Sequence, residues 1–330
     1  MTAGTSPAGP PGGDSQNNDG APFIERTCLP YLRSAQNQDG GWGFVSGSHS
    51  RTEPTAWALL ALQGFAGGKA ADEAVERGLR FLHETQLADG SWPSAAGQTK
   101  GCWVTSLACW VLLARKEQSP SLVRGLRWLG DERPRDAGLW WRLIRSLVGN
   151  RSVTSQNESL WGWPWTSGTA SWVEPTSYAL IVLGGSPEGL VAARARRRQQ
   201  LAEGMLYDRM CQGGGWNCGN PTVYGVPGKP MVSTTVWPLL ALRRHPQRAE
   251  NLQSLAWLES SWQELQSPAS LALAGIGLNA YGRRSPSLGR SLRDLFEQKE
   301  VLWNIPAVAW TTLAINDQSS WLDFSTTEAS

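Results

Sequence analysis

Apolar residues fall along this chain in two alternating patterns. Over residues 72–86, Ala74, Val75, Leu79, Phe81 and Leu82 recur near helical spacing between charges, which predicts an amphipathic helix with one wet face. Over residues 54–63 nearly every position is apolar, which predicts a helix buried on all sides. The dry stretch returns. Glu53-Pro54-Thr55-Ala56-Trp57-Ala58-Leu59-Leu60-Ala61-Leu62 aligns with Ser233-Thr234-Thr235-Val236-Trp237-Pro238-Leu239-Leu240-Ala241-Leu242, and the frame takes in segments starting at Trp103, Glu174, Ser267 and Pro306. Six wet and dry helical pairs result, and units that cannot bury their faces alone must stack on one another.

A polar phrase links the two patterns. Gln36-Asn37-Gln38-Asp39-Gly40-Gly41-Trp42 and Gln86-Leu87-Ala88-Asp89-Gly90-Ser91-Trp92 stand in strict register, with Gln212-Gly213-Gly214-Gly215-Trp216 as a shorter copy. Gly tolerates a positive φ and Asp bonds nearby backbone amides, so the phrase stops the outer helix and turns the chain. Trp42, Trp92, Trp163 and Trp216 then read as rings that staple adjacent repeats. The predicted fold is all-α, an (α/α)6 toroid whose dry helices line a central cavity. An open solenoid is the alternative and would need polar capping repeats.

Residues 22–318 form the predicted toroid, between a disordered N-terminal tail at 1–21 and a C-terminal tail at 319–330. The third unit departs from the pattern: its outer helix near 121–129 is followed by an extra segment at 138–149, in which residues 139–144 predict an inserted helix. The fourth carries a long loop at 213–230 over the same end of the ring. Long loops on a rigid scaffold are common places for sites.

Composition narrows the partners. Formal net charge is only +2, which gives no general electrostatic case for nucleic acid. The basic run Arg194, Arg196, Arg197 and Arg198 reads as a solvated outer helix face. Nineteen Trp against six Phe and five Tyr is unusual and points to a demand for indole rings. Five scattered cysteines do not form a disulfide framework, and with no apolar leader in 1–21 the expectation is a cytoplasmic protein. No apolar stretch reaches the roughly 18 residues of a spanning helix.

The Gln-x-x-Asp-Gly-Gly/Ser-Trp phrases, followed by Thr-Ala-Trp-Ala-Leu-Leu-Ala-Leu, resemble the repeats of squalene and oxidosqualene cyclases and related class II terpene cyclases. The likeness runs from residue 24 to about 316, with protein prenyltransferase β-subunits as more distant relatives of the same toroid. The resemblance implies an isoprenoid or other hydrophobic ligand in the central cavity, peripheral contact with a membrane, and, in an enzyme, protonation of an olefin or epoxide by the middle acid of an Asp-x-Asp-Asp-Thr-Ala motif. That motif is absent here. Arg51-Thr52-Glu53-Pro54-Thr55-Ala56 and Ser171-Trp172-Val173-Glu174-Pro175-Thr176 stand in its place, with Glu53 and Glu174 at the acid position.

Two readings of these glutamates stay open. A residue before Pro is disfavoured in α conformation while Pro suits the first helical turn, so both fit N-caps, where the helix dipole favours the ionised form. Their matching positions in units one and three would also place them at one end of a ring, where two carboxylates can share a proton. Trp57, Trp103, Trp110, Tyr178, Trp237 and Trp310 belong to the inner helices and would line the pocket, their π faces suited to a cation. A zinc site of the prenyltransferase kind is not expected. Gly228-Lys229-Pro230-Met231-Val232-Ser233 holds no ligand set, Cys211 and Cys218 lack metal spacing, and His49, His83 and His245 are scattered. No cofactor is implied. The choice lies between a divergent proton-initiated cyclase or ligand binder and a scaffold that kept the toroid without the acid motif.

Overall fold

The computed structural model describes residues 20–65, 69–138, 156–157, 159–187, 189, 193–298, 303–316, 321–322 and 324. The inner helices are α2 (Thr52–Gln63), α4 (Val104–Ala114), α6 (Val173–Gly185), α8 (Val232–Ala241), α10 (Pro268–Asn279) and α12 (Ile305–Ile315). The outer ones are α1 (Leu29–Ser34), α3 (Lys69–Thr85), α5 (Pro120–Asp131), α7 (Ala193–Asp208), α9 (Ala249–Ser261) and α11 (Pro286–Gln298). A short α-turn at Gly20–Phe23 and a π-helical stretch at Ile24–Cys28 lead into α1.

Each inner helix packs on its two neighbours, and α12 packs on both α10 and α2, so the ring closes. The seam is bonded: Ile305 N donates to Phe44 O at 2.8 Å, and the Tyr31 hydroxyl donates to Trp303 O at 2.5 Å. At the opposite end Asn279 Nδ2 donates to Ala314 O and Tyr281 OH to Leu239 O, both at 2.8 Å. The inner helices therefore run parallel. Their N-termini form one end of the ring, called the mouth here, and their C-termini the floor.

The dry pattern is explained by burial. Every residue of α4 is buried, and so is every residue of α2 from Pro54 to Leu62, because each inner helix is enclosed by two neighbours and its own outer helix. Trp42, Trp57, Trp92, Trp110, Trp216 and Trp237 are among the largest fully buried side chains. At the usual area coefficient each contributes about 4–6 kcal/mol of transfer free energy before entropy is counted.

The recurring phrase is built from the same bonds each time. The indole Nε1 of Trp42, Trp92, Trp163 and Trp216 donates to the carbonyl of Leu32, Leu82, Leu129 and Leu206 in the unit's own outer helix. Its backbone N donates to Thr55, Thr105, Thr176 or Thr235 of the unit's inner helix. The Trp thus fastens a unit to itself. The Gln fastens it to the next: Gln36 Nε2 donates to Ala74 O of α3, and Gln86 Nε2 to Ser121 O of α5, each at 2.8 Å. Gly40 and Gly90 sit at φ of +85° and +92° hard against the backbone of the following outer helix, a place for Gly alone.

The third unit keeps the Trp but lacks the Gln and Asp-Gly of the phrase, and it solves the problem differently. Arg198 reaches back from α7, donating to Leu129 O at 3.1 Å and Gly162 O at 3.0 Å, with its guanidinium 3.8 Å above the Trp163 ring. It is only 4% exposed, so the expectation of a solvated face holds for Arg196 and Arg197 and fails for Arg198. Burial pushes its pKa down to about 9 against the opposing pull of Glu132. Asp136 takes the part of the turn aspartate, accepting from Ser171 Oγ at 3.1 Å.

Other expectations shift. The 213–230 loop contains a two-stranded antiparallel hairpin, Thr222–Val223 against Val226–Pro227. The inserted helix at 139–144 lies outside the described residues, as does most of the N-terminal tail. Within the C-terminal stretch the described residues Trp321, Leu322 and Phe324 are buried.

Candidate functional site

Glu53 and Glu174 are the second residues of α2 and α6. The N-caps are Arg51 and Trp172, both extended, so the capping assignment for the glutamates is corrected. The reason lies in the proline. Pro54 and Pro175 fall at the third helical position, where a missing N–H costs nothing, and the residue before each is drawn into the first turn despite its bias against α.

Among the described residues neither carboxylate has a hydrogen bond that would offset its burial. Burial raises Glu53 from near 4.5 to about 7, and the charge of Glu174 adds to the shift. Burial alone raises Glu174 to about 7. A helix N-terminus favours a carboxylate by about 0.3–1 kcal/mol, whereas a shift of this size corresponds to roughly 3 kcal/mol, so desolvation wins. Both acids hold their protons to near neutrality.

Below the glutamates the predicted aromatic residues meet one another. Trp57 stacks on Trp237 at 5.1 Å and 26°, and meets Trp110 at 5.9 Å, Tyr178 at 6.2 Å and Trp310 at 5.6 Å. Rings from units one, two, three, four and six thus converge on the axis and fill it at this level. Trp103 caps α4 and stacks on Tyr178 at 5.4 Å, next to the mouth. Burial, then Glu174, then Glu53 raise the Tyr178 phenol, so it stays neutral beneath the two acids. Among the described residues the buried Nε1 donors of Trp57 and Trp310 have no partner.

Around the mouth, Cys102 feels Glu53 and Cys218 feels Glu174, though burial is the larger cause of each raised thiol. A cleft lined by Cys102, Trp103, Glu132 and Pro175 opens beside them. Phe44, Trp172, Tyr224, Val226 and Met231 are exposed on the loops of this end. Sequence reasoning placed the glutamates and inner aromatics and missed Cys102, Cys218 and Glu132. Cys102 directly precedes Trp103, the residue of unit two aligned with Glu53, and that register could have flagged it. Among the described residues no group of three or more His, Cys, Asp and Glu is placed to hold a metal ion.

A family model described as the squalene-hopene cyclase C-terminal domain matches residues 14–102. The squalene–hopene cyclase of Zymomonas mobilis is 38% identical over 76 residues, 20% of this chain and 11% of that protein. The drimenyl diphosphate synthase of Streptantibioticus cattleyicolor is 35% identical over 96 residues, 29% of this chain and 17% of that protein. The match thus spans less than a fifth of the length of these curated relatives. The type II terpene cyclase MstE from Scytonema, in a variant complexed with its product merosterolic acid A, superposes with a TM-score of 0.59 at 14% identity, covering 91% of this chain and 97% of that one. At that identity the likeness is one of fold.

Proposed function

We propose that this chain, whose repeats and toroid resemble those of the terpenoid cyclases, binds an isoprenoid-like ligand at its mouth and protonates it there. The observation that carries this reading is the pair of half-buried acids, Glu53 and Glu174, each raised to about 7 above a bed of aromatic rings. An acid that is to protonate an olefin must be neutral when the ligand arrives. Here burial favours that form, and the second acid, while still protonated, can donate a hydrogen bond to the carboxylate left behind.

The step is simple in its balance. The O–H bond of one glutamic acid breaks, its proton adds to one alkene carbon, and the other becomes a cation facing Trp103 and Tyr178. Indole and phenol π faces stabilise such a charge by about 1–2 kcal/mol when water is excluded. Loss of a neighbouring proton to the new carboxylate would end the reaction and reload the acid. The named relatives support the ligand class, since one MstE variant is complexed with geranylgeranyl dihydroxybenzoate, its substrate.

A scaffold without catalysis is the competing reading, favoured by the filled axis. Incubation with squalene, oxidosqualene and linear prenyl diphosphates, followed by mass spectrometry, separates them. Product from the native chain and none from the Glu53→Gln, Glu174→Gln variant supports the acid pair; no product from either supports the scaffold. The exposed apolar loops around the mouth suit contact with a lipid surface. Among the described residues no helix is long and apolar enough to cross a membrane, so such contact would be peripheral. Liposome flotation without binding would count against it.

A further inference from the structure

The end of the chain is placed where the repeats leave a gap. Beyond α12, Trp321, Leu322 and Phe324 lie buried against three inner helices at the floor of the ring. Trp321 stacks on Trp110 of α4 at 5.5 Å and 18°, and Trp110 Nε1 donates to the Trp321 carbonyl at 2.7 Å. Arg243, just past α8, donates to the Leu322 carbonyl. Phe324 lies over Gly185 at the end of α6, where a Cβ would stand 1.8 Å from the Phe ring. Trp110 also meets Trp57 and Trp237, so the tail extends the axial aromatic column from below.

These contacts have the chemistry of a bound ligand. Flat apolar groups slide against an indole and a glycine face, and two successive carbonyl oxygens satisfy one indole N–H and one guanidinium. Deeper in the same column, Trp57 and Trp310 each present a buried N–H with no acceptor among the described residues. The floor therefore offers an indole N–H, a guanidinium and aromatic faces to something with oxygen acceptors on an apolar body.

We propose that Trp321, Leu322 and Phe324 act as a displaceable internal ligand, covering a floor site for an amphipathic molecule with an apolar body and an anionic or carbonyl oxygen head. Arg243 and Trp110 Nε1 hold the head, and the apolar body replaces the Trp321 and Phe324 rings. The site lies at the opposite end of the ring from Glu53 and Glu174 and stands whether or not they do chemistry. While the tail is bound, apparent affinity is lowered by the fraction of molecules in which it is out.

The test uses the full chain and anilinonaphthalene sulfonate, an aromatic body with an anionic head, titrated by fluorescence. Gly185→Ala evicts Phe324 without deleting any core side chain, and Trp321→Ala removes the ring beneath Trp110. Both should bind the probe at least about 10-fold more tightly than the native chain while melting cooperatively. Adding Arg243→Ala to Trp321→Ala should reverse most of that gain, and Glu53→Gln should leave it unchanged. The proposal is overturned if both variants melt cooperatively with affinity unchanged within about twofold. It is also overturned if both lose cooperative melting, because the tail is then ordinary core, or if Arg243→Ala leaves the gain intact.

Discussion

Replacing both mouth acids by Gln should stabilise the protein at alkaline pH and do little in acid. Folded Glu53 and Glu174 keep their protons to about pH 7, whereas the unfolded chain releases them near 4.5. Stability from this source is fully present below 4.5 and is lost as pH rises through 7, because over that interval the native state binds more protons than the unfolded one. Above pH 7 the loss approaches roughly 3 kcal/mol per carboxylate at 1.36 kcal/mol per pKa unit. Both side chains are partly exposed, and screening brings the expectation for the pair to about 3 kcal/mol. For a chain of this size that is about 5 °C in melting temperature. Thermal melts of the native chain and the Glu53→Gln, Glu174→Gln variant at pH 5 and pH 8 measure it. The gain of the variant over the native chain should be about 5 °C larger at pH 8. A pH-independent difference, or a variant less stable at pH 8 than the native chain, would refute the reasoning and return the glutamates to helix-dipole partners.

Three further outcomes test the framework of the ring. Trp92→Phe keeps most of the apolar ring but leaves Leu82 O without its indole donor and should cost about 1–3 kcal/mol by urea unfolding. Gly90→Ala places a Cβ 2.7 Å from Arg124 O at a φ of +92° and should destabilise by about 2 kcal/mol or more, read as a fall in melting temperature. Arg198→Met removes two carbonyl bonds and the cation over Trp163; a cost of about 2–4 kcal/mol is expected, and stability equal to the native chain would show the buried charge to be no better than an apolar residue.

The legible part of this protein is periodic. Wet and dry helices alternate because an outer helix meets solvent on one side and an inner helix on none, and that difference is written directly in residues such as those of α3 and α4. The Gln-Asp-Gly-Trp phrase was readable as a helix stop because Gly and Asp have few other reasons to stand together there. Glu53 and Glu174 could be paired from the register of the repeat, since equal positions in a closed ring share an end. Their protonation could not be read, because it follows from how much water the loops of the mouth exclude.

Arg198 and the C-terminal residues mark the other limit. In sequence Arg198 is one of four nearby arginines, and only the packing of α7 against Trp163 selects it for burial. Trp321-Leu322-Asp323-Phe324 is a short apolar cluster after the last repeat, with no partner at any fixed spacing. Local pattern therefore determined the helices, their inner or outer rank, the turns and the stacking of six units, and the packing of α12 on α2 closed the ring. The tertiary structure alone decided that rings from five units fill the axis, that burial raises both mouth acids to about 7, and that Trp321, Leu322 and Phe324 are buried at the floor. Each of those depends on groups far apart in sequence meeting in one low-dielectric place, and a single chain's periodicity carries no record of such meetings.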